Sequence, residues 1–273
     1  MGGRTGERDG TGFPDASMKI ATFNVNGITA RLPRLLDWLA EADPDVVCLQ
    51  EIKIVDAAFP REAIEAAGYN AVVHGQKGFN GVAILSKQPA TETARGLDGD
   101  PDDDHSRYLE ADVCGIRIAS IYLPNGNPQP GPKFDYKLAW IDRLAARAAA
   151  LLATEQPVVL AGDWNVAPLG VDVFSEAAMA ADALVQPETR AKFRALLFQG
   201  WTDAIRALQP TGPAFTFWDY QAGAWPRDLG LRIDHLLLSP TAADRLTHAG
   251  IDRAVRGGER ASDHVPVWVE INA

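Results

Sequence analysis

The chain has 273 residues, of which 47% are hydrophobic and 23% charged, and its formal net charge is −10. This composition is that of an ordinary globular protein, and no apolar run approaches the roughly 18 residues of a membrane span. The acidic balance argues against a nonspecific basic coat for nucleic acid, but it leaves room for a local basic groove or for an acidic site that needs a divalent cation.

In chain order, residues 1–17 (MGGRTGERDGTGFPDAS) come first. They lack the apolar stretch of a secretory signal, and their glycine-rich, charged composition reads as a disordered tail. Met18 opens a clean strand, KIATFNV, and is an alternative start of translation. ARLPRLLDWLAEA has helical spacing through Leu35, Leu36 and Leu39, and DPDVVCLQE is a second strand ending at Glu51. REAIEAAG reads as a short helix stopped by Gly68. YNAVVHG and GVAILS are strands around a Gly-rich turn, and DGDPDDDHS is a solvated acidic loop without the spacing of a calcium loop.

RYLEADV and IRIASIYL form a hairpin across Cys114 and Gly115, and NGNPQPGP is a rigid loop. A long helix runs from about Lys133 to Thr154, followed by a strand to Asp163 and two weaker helices. AFTFWDY, the strand-like LRIDHLLLS and the closing strand VPVWVEI complete the chain. Alternating strands and helices, with several strands in adjacent pairs, predict an α/β fold with mixed sheets. No repeat or interior linker divides residues 18–273, so one domain is expected. Cys48 and Cys114 lie inside apolar runs; they are too few for a disulfide framework and read as buried, reduced thiols.

Polar residues recur where strands meet loops. Asn24 and Asn26 follow the first strand, and Glu51 ends the second. Tyr122 and Asn125 follow IASIYL, Asp163 and Asn165 end VVLAGDWN, Asp234 lies within RIDHLLL, and Asp263 and His264 precede the last strand. Each alone is compatible with a turn cap or a structural hydrogen bond. Together they point to a ligand site, because ligands of layered α/β folds gather where strand ends meet loops. Hard cations such as Mg²⁺ take oxygen ligands, and Glu51 with Asp263 can supply them. Asp163 can then polarise a water, and Asn165 can donate to a phosphoryl oxygen that gains charge. Asp234 can orient His264 and favour its protonated form. Nucleophilic serine chemistry has no motif here.

KIATFNVNGITAR, PDVVCLQEIK, GYNAVVHGQKGFNGVAILS, IYLPNGNP, VVLAGDWNVAP, FTFWDY, LGLRIDHLLLS and SDHVPVWVEI occur in this order. They resemble the exonuclease III family of apurinic/apyrimidinic endonucleases, in the endonuclease/exonuclease/phosphatase superfamily. The resemblance covers Met18 to about Ile271. It implies a four-layer α/β sandwich, with two packed mixed β-sheets flanked by helices and a site at one edge. It also implies Mg²⁺-dependent hydrolysis of phosphodiesters 5' to abasic sites, with 3'–5' exonuclease and 3'-end-cleaning activity on duplex DNA. Mn²⁺ is expected to substitute, and the protein to work as a monomer in the cytoplasm, associated with the nucleoid.

The resemblance makes Glu51 the main metal ligand, assisted by Asp263 and by Asn24 or Asn26, with Asp163, Asn165 and His264 around the same ion. Tyr122, Asp163, Asn165, Asp234 and His264 become the catalytic set. Asn26, Lys53, Asn125, Phe217, Trp218 and Leu231 face the DNA, the last three around a pocket for the bare deoxyribose. The segment after GDWN follows the family only loosely. Two other readings stay open at this point: a relative acting on another phosphodiester or phosphomonoester, of the sphingomyelinase or inositol phosphatase type, and a DNA-binding relative without catalysis.

Overall fold

The computed structural model describes residues 17–272. Of the tail expected at 1–17, residues 1–16 lie outside them, and Ser17 belongs to the first strand. In chain order the strands are β1 (Ser17–Asn24), β2 (Val46–Gln50), β3 (Asn70–His74), β4 (Val82–Ser86), β5 (Ala90–Arg95) and β6 (Tyr108–Val113). They continue with β7 (Ile116–Tyr122), β8 (Val158–Asp163), β9 (Thr202–Asp203), β10 (Asp234–Leu238), β11 (Leu246–Ile251) and β12 (Val267–Asn272). The helices are α1 (Ile28–Ala42), α2 (Arg61–Ala66), α3 (Pro132–Leu152), α4 (Glu176–Met179), α5 (Pro187–Phe198), α6 (Ala204–Leu208) and α7 (Pro240–Ala243).

The strands form two six-stranded mixed sheets, ordered β11-β12-β1-β2-β4-β3 and β5-β6-β7-β8-β10-β9. Side-chain alternation explains how they stack. Along β1, Met18 and Ile20 enter a core shared by both sheets, whereas Ala21 and Phe23 pack under α1 with Leu35 and Leu39. Along β8, Val159 and Ala161 face the other sheet, and Val158 and Leu160 pack under α3 and α5. Three apolar layers therefore separate four structural ones, which is the expected sandwich.

The same period of two places the polar residues. Asn24 shares the inter-sheet face with Ile20, and Asp163 shares it with Val159 and Ala161. Asp234 shares it with Leu236 and Leu238, and Tyr122 with Ile116 and Ile118. β1 runs parallel to β2, β7 runs parallel to β8, and register aligns Asn24 with Gln50 and Tyr122 with Asp163. β10 is antiparallel to β8, which sets Asp234 at its start beside Asp163. The apolar alternation thus ends in polar groups at one edge of the sandwich, facing into the gap between the sheets. Gly162 is required there, because a Cβ at this position would lie 2.0 Å from the Ile121 carbonyl oxygen on β7.

AFTFWDY forms no strand; Phe217 makes single bridges, to Leu231 and His264. β5, β9 and β11 carry no strong apolar pattern because they lie at or next to sheet edges, half in solvent. The expectation of two buried thiols is corrected: Cys48 is buried, but Cys114 is exposed, with φ 50° in the turn between β6 and β7. Among the described residues, no helix is long and apolar enough to cross a membrane.

Candidate active site

A cavity of about 570 Å³ opens at the polar edge, lined by Glu51, Tyr122, Asn125, Asp163, Asn165, Asp263 and His264. Its floor is acidic and buried. Asn24 Nδ2 donates to Glu51 Oε1 and to Asp163 Oδ2, both at 2.9 Å, and so ties two carboxylates together. The Asn24 side-chain Oδ1 accepts from the Asn26 backbone amide at 3.0 Å. Burial alone would raise the Glu51 carboxyl, but hydrogen bonds from Lys53 and Asn24 and the Lys53 charge outweigh it and hold it low. The Lys53 ammonium lies 2.8 Å from Glu51 and also donates to Asn26 Oδ1.

Asp163 is fully enclosed. Burial holds its carboxyl well above the usual range, and the nearby Asp234 and Glu51 charges add to this against the opposing pull of His264. His264 Nε2 lies 3.7 Å from Asp163 Oδ2, and its Nδ1 lies 2.9 Å from Asp234 Oδ2. Burial would lower the imidazole, but the Asp234 and Asp163 carboxylates outweigh it and raise it well above its ordinary value, which favours the charged form of His264. Asp234 is itself held by the Thr216 hydroxyl, which donates at 2.6 Å and accepts from the amides of Ile233 and Asp234. Burial, then Glu51 and Asp163, keep the Tyr122 phenol protonated. The Arg107 guanidinium sits 4.7 Å from its ring centroid.

Asn165 is fixed from three sides. Its Oδ1 accepts from Asn125 Nδ2 at 3.0 Å, its Nδ2 donates to the Leu123 carbonyl, and its amide donates to Asp163 Oδ1. Behind it, Lys137 of α3 is completely buried and donates to the carbonyls of Asn125 (2.9 Å) and Asn165 (2.5 Å). Burial pushes this lysine down to about 7. Sequence reasoning missed Lys137, Thr216 and Arg107. A lysine on an amphipathic helix and a threonine between two aromatic residues carry no signal until the fold closes over them.

Among the described residues, the groups whose atoms could share one ion are Glu51, Asp163 and His264, within 4.8 Å of one another. Two of the three offer carboxylate oxygens, the donors that suit a hard divalent cation. The other residues expected around the metal and the DNA take different positions at the cavity. Asp263 lines the cavity outside that group, its Oδ1 held by Asn26 Nδ2 at 3.0 Å. Asn24 offers the floor a donor, and the Asn165 amide is committed to its neighbours. Phe217 and Leu231 line the cavity, joined by Ile233 and Leu184. Trp218 does not: it is fully buried, its ring packs edge-on against Trp225, and its indole N–H donates to Asp228. Phe217 and Trp218 are sequence neighbours with opposite orientations, so only one of them can face the site.

Two sheets enclosed by helices, with paired carboxylates and an aspartate-held imidazolium at one edge, define a hydrolase site for phosphate esters. The Endonuclease/Exonuclease/phosphatase family profile matches residues 21–264. Exodeoxyribonuclease III of Haemophilus influenzae is 34% identical over 93% of this chain and 99% of its own length. The solved structure of an AP endonuclease from Archaeoglobus fulgidus superposes with a TM-score of 0.90 at 35% identity, covering 94% of this chain and all of that one. A 3'-5' exonuclease from Neisseria meningitidis gives 0.91 at 38% identity, again over 94% of this chain and all of that one. The chain belongs to the Endonuclease/Exonuclease/phosphatase family and, within it, to the exonuclease III branch.

Proposed function

We propose that this protein is a Mg²⁺-dependent DNA-repair nuclease that cleaves duplex DNA 5' to abasic sites and trims damaged 3' ends. The observation that carries the reading is the cavity floor, where Glu51, Asp163 and the His264–Asp234 pair converge. Glu51 and Asp163 are the residues that would hold the cation, with Asp263 and Asn26 beside them. Lys53 would then leave Glu51 for the DNA backbone. A divalent cation bound there would polarise the scissile phosphate and offset the charge it gains.

The remaining steps belong to side chains. Asp163 takes a proton from the attacking water, a role suited to a carboxylate enclosed beside other acids. His264, held charged by Asp234, donates from Nε2 to a phosphoryl oxygen, and Asn165 helps fix that phosphate. Tyr122 presents a protonated hydroxyl beside Glu51 for the phosphate or the leaving oxygen. Phe217, Leu231 and Ile233 form an apolar wall that accepts a bare deoxyribose and offers a normal base no hydrogen bonds. An abasic nucleotide also costs less to draw from the stack than a paired one.

The curated and structural relatives bear names of both kinds, AP endonuclease and 3'-5' exonuclease, which supports assigning both activities to one site. The protein acts as a monomer on DNA in the cytoplasm, with Mn²⁺ able to replace Mg²⁺. The test is incubation of a duplex containing one tetrahydrofuran abasic analogue, and of a duplex with a recessed 3' end, with Mg²⁺ and with EDTA. Metal-dependent incision 5' to the analogue is the expected result. Intact DNA, together with hydrolysis of sphingomyelin or an inositol phosphate, would refute the assignment.

A further inference from the structure

One aromatic residue of the cavity has no part in the reaction above. Phe174 lines the cavity and yet leaves 36% of its surface open to solvent. Its mounting is rigid. The Phe174 amide donates to the Gly230 carbonyl at 3.0 Å, Val173 bridges to Leu231, and the Arg232 amide donates to the Asp172 carbonyl at 2.8 Å. Beneath this backbone, Asp172 is fully buried and takes Arg232 Nε at 2.7 Å, Arg232 Nη2 at 3.1 Å and Arg206 Nη2 at 2.5 Å. Arg232 continues to Asp203 Oδ2 at 2.8 Å. Two buried carboxylates thus match two guanidinium groups. Such networks add little net stability over apolar packing; this one fixes the loop to the segment that carries Leu231 and leads into β10.

The result is a partly exposed phenyl ring at the cavity wall, on a backbone held by hydrogen bonds. The surrounding stretch, residues 169–186, contains no lysine or arginine. This wall cannot hold a DNA backbone by charge, and what it offers is an aromatic face. On the nuclease reading, on which this inference rests, a phosphate seated near Asn165 and His264 brings the adjoining nucleotide past this mouth.

We propose that Phe174 is a specificity-determining residue that stacks on the nucleobase next to the scissile phosphate and so replaces the stacking lost at the lesion. The ring supplies apolar contact without reading sequence, because every base has a stacking face. It acts on DNA binding and leaves the hydrolytic step to Asp163 and His264.

The test compares wild type, Phe174→Ala and Phe174→Trp on a duplex with 2-aminopurine beside a tetrahydrofuran residue. Binding is measured in EDTA through the 2-aminopurine fluorescence, and turnover is measured with Mg²⁺. Phe174→Ala is expected to raise Kd and KM about tenfold, in the range of a lost base–aromatic stack, with kcat within about threefold of wild type. It should also abolish the fluorescence change on binding, and Phe174→Trp should restore both. Equal Kd and equal fluorescence change in wild type and Phe174→Ala would overturn the proposal while leaving the nuclease reading intact. A wild-type protein that neither binds nor cuts this duplex would overturn both.

Discussion

Lys137 is a fully buried ammonium whose direct partners are the carbonyls of Asn125 and Asn165. Burial lowers it from 10.5 to about 7 in the folded protein. The sign follows from proton counting. Between about pH 7 and 10.5 the unfolded chain binds more protons at this site than the folded one, so stability at this site rises with pH across that window. Below pH 7 the folded protein bears the whole penalty of a buried charge, about 5 kcal/mol for a displacement of this size. From pH 7 to 9.5 about 3 kcal/mol of that penalty disappears.

Lys137→Met keeps the stem, removes the charge and leaves two carbonyls without a donor, each costing about 1–3 kcal/mol. The difference in unfolding free energy, variant minus wild type, should therefore fall by about 3 kcal/mol between pH 7 and 9.5. Urea unfolding of both proteins at the two pH values measures it, and titrations elsewhere in the chain cancel in the difference. Turnover on abasic duplex should drop roughly 10- to 100-fold, because Asn125 and Asn165 lose their support. A stability difference that does not change with pH would show that Lys137 is charged in the folded protein throughout, and would refute the reasoning.

Three further outcomes follow from the site. Glu51→Gln removes the charge that Lys53 and Asn24 now hold, so calorimetry should show Mg²⁺ affinity greatly reduced with the fold kept; unchanged affinity would remove Glu51 from the metal site. Asp163→Asn should lower kcat by roughly 10²–10⁴, as for loss of a positioned base, with DNA binding near normal, and a loss below about tenfold would assign the water to another group. Trp218→Ala should cost about 3–5 kcal/mol through the cavity it leaves, with abasic-site and 3'-end activities falling together in thermal melts and assays. A loss confined to abasic DNA in a fully folded protein would return Trp218 to the pocket.

The pattern of strands running into Asn24, Glu51 and Asp163 was legible in the chain because it rests on local physics. Short apolar runs mark the central strands, and a carboxylate or carboxamide at the end of such a run is conspicuous. The eight ordered motifs carried the family, and with it the four-layer fold. The sequence by itself did not determine which polar groups touch. Register between β8 and β10 puts Asp234 beside Asp163, and that contact spans 71 positions of chain. Nor could it separate Phe217 from Trp218, since adjacent side chains in an extended segment point opposite ways and only the packed layers decide which way is inward. The partners of Lys53 and Lys137, the exposure of Cys114 and the mounting of Phe174 on Asp172 and Arg232 are likewise properties of the closed structure. Charge and burial at these positions are set by residues far away in sequence, and no local pattern encodes them.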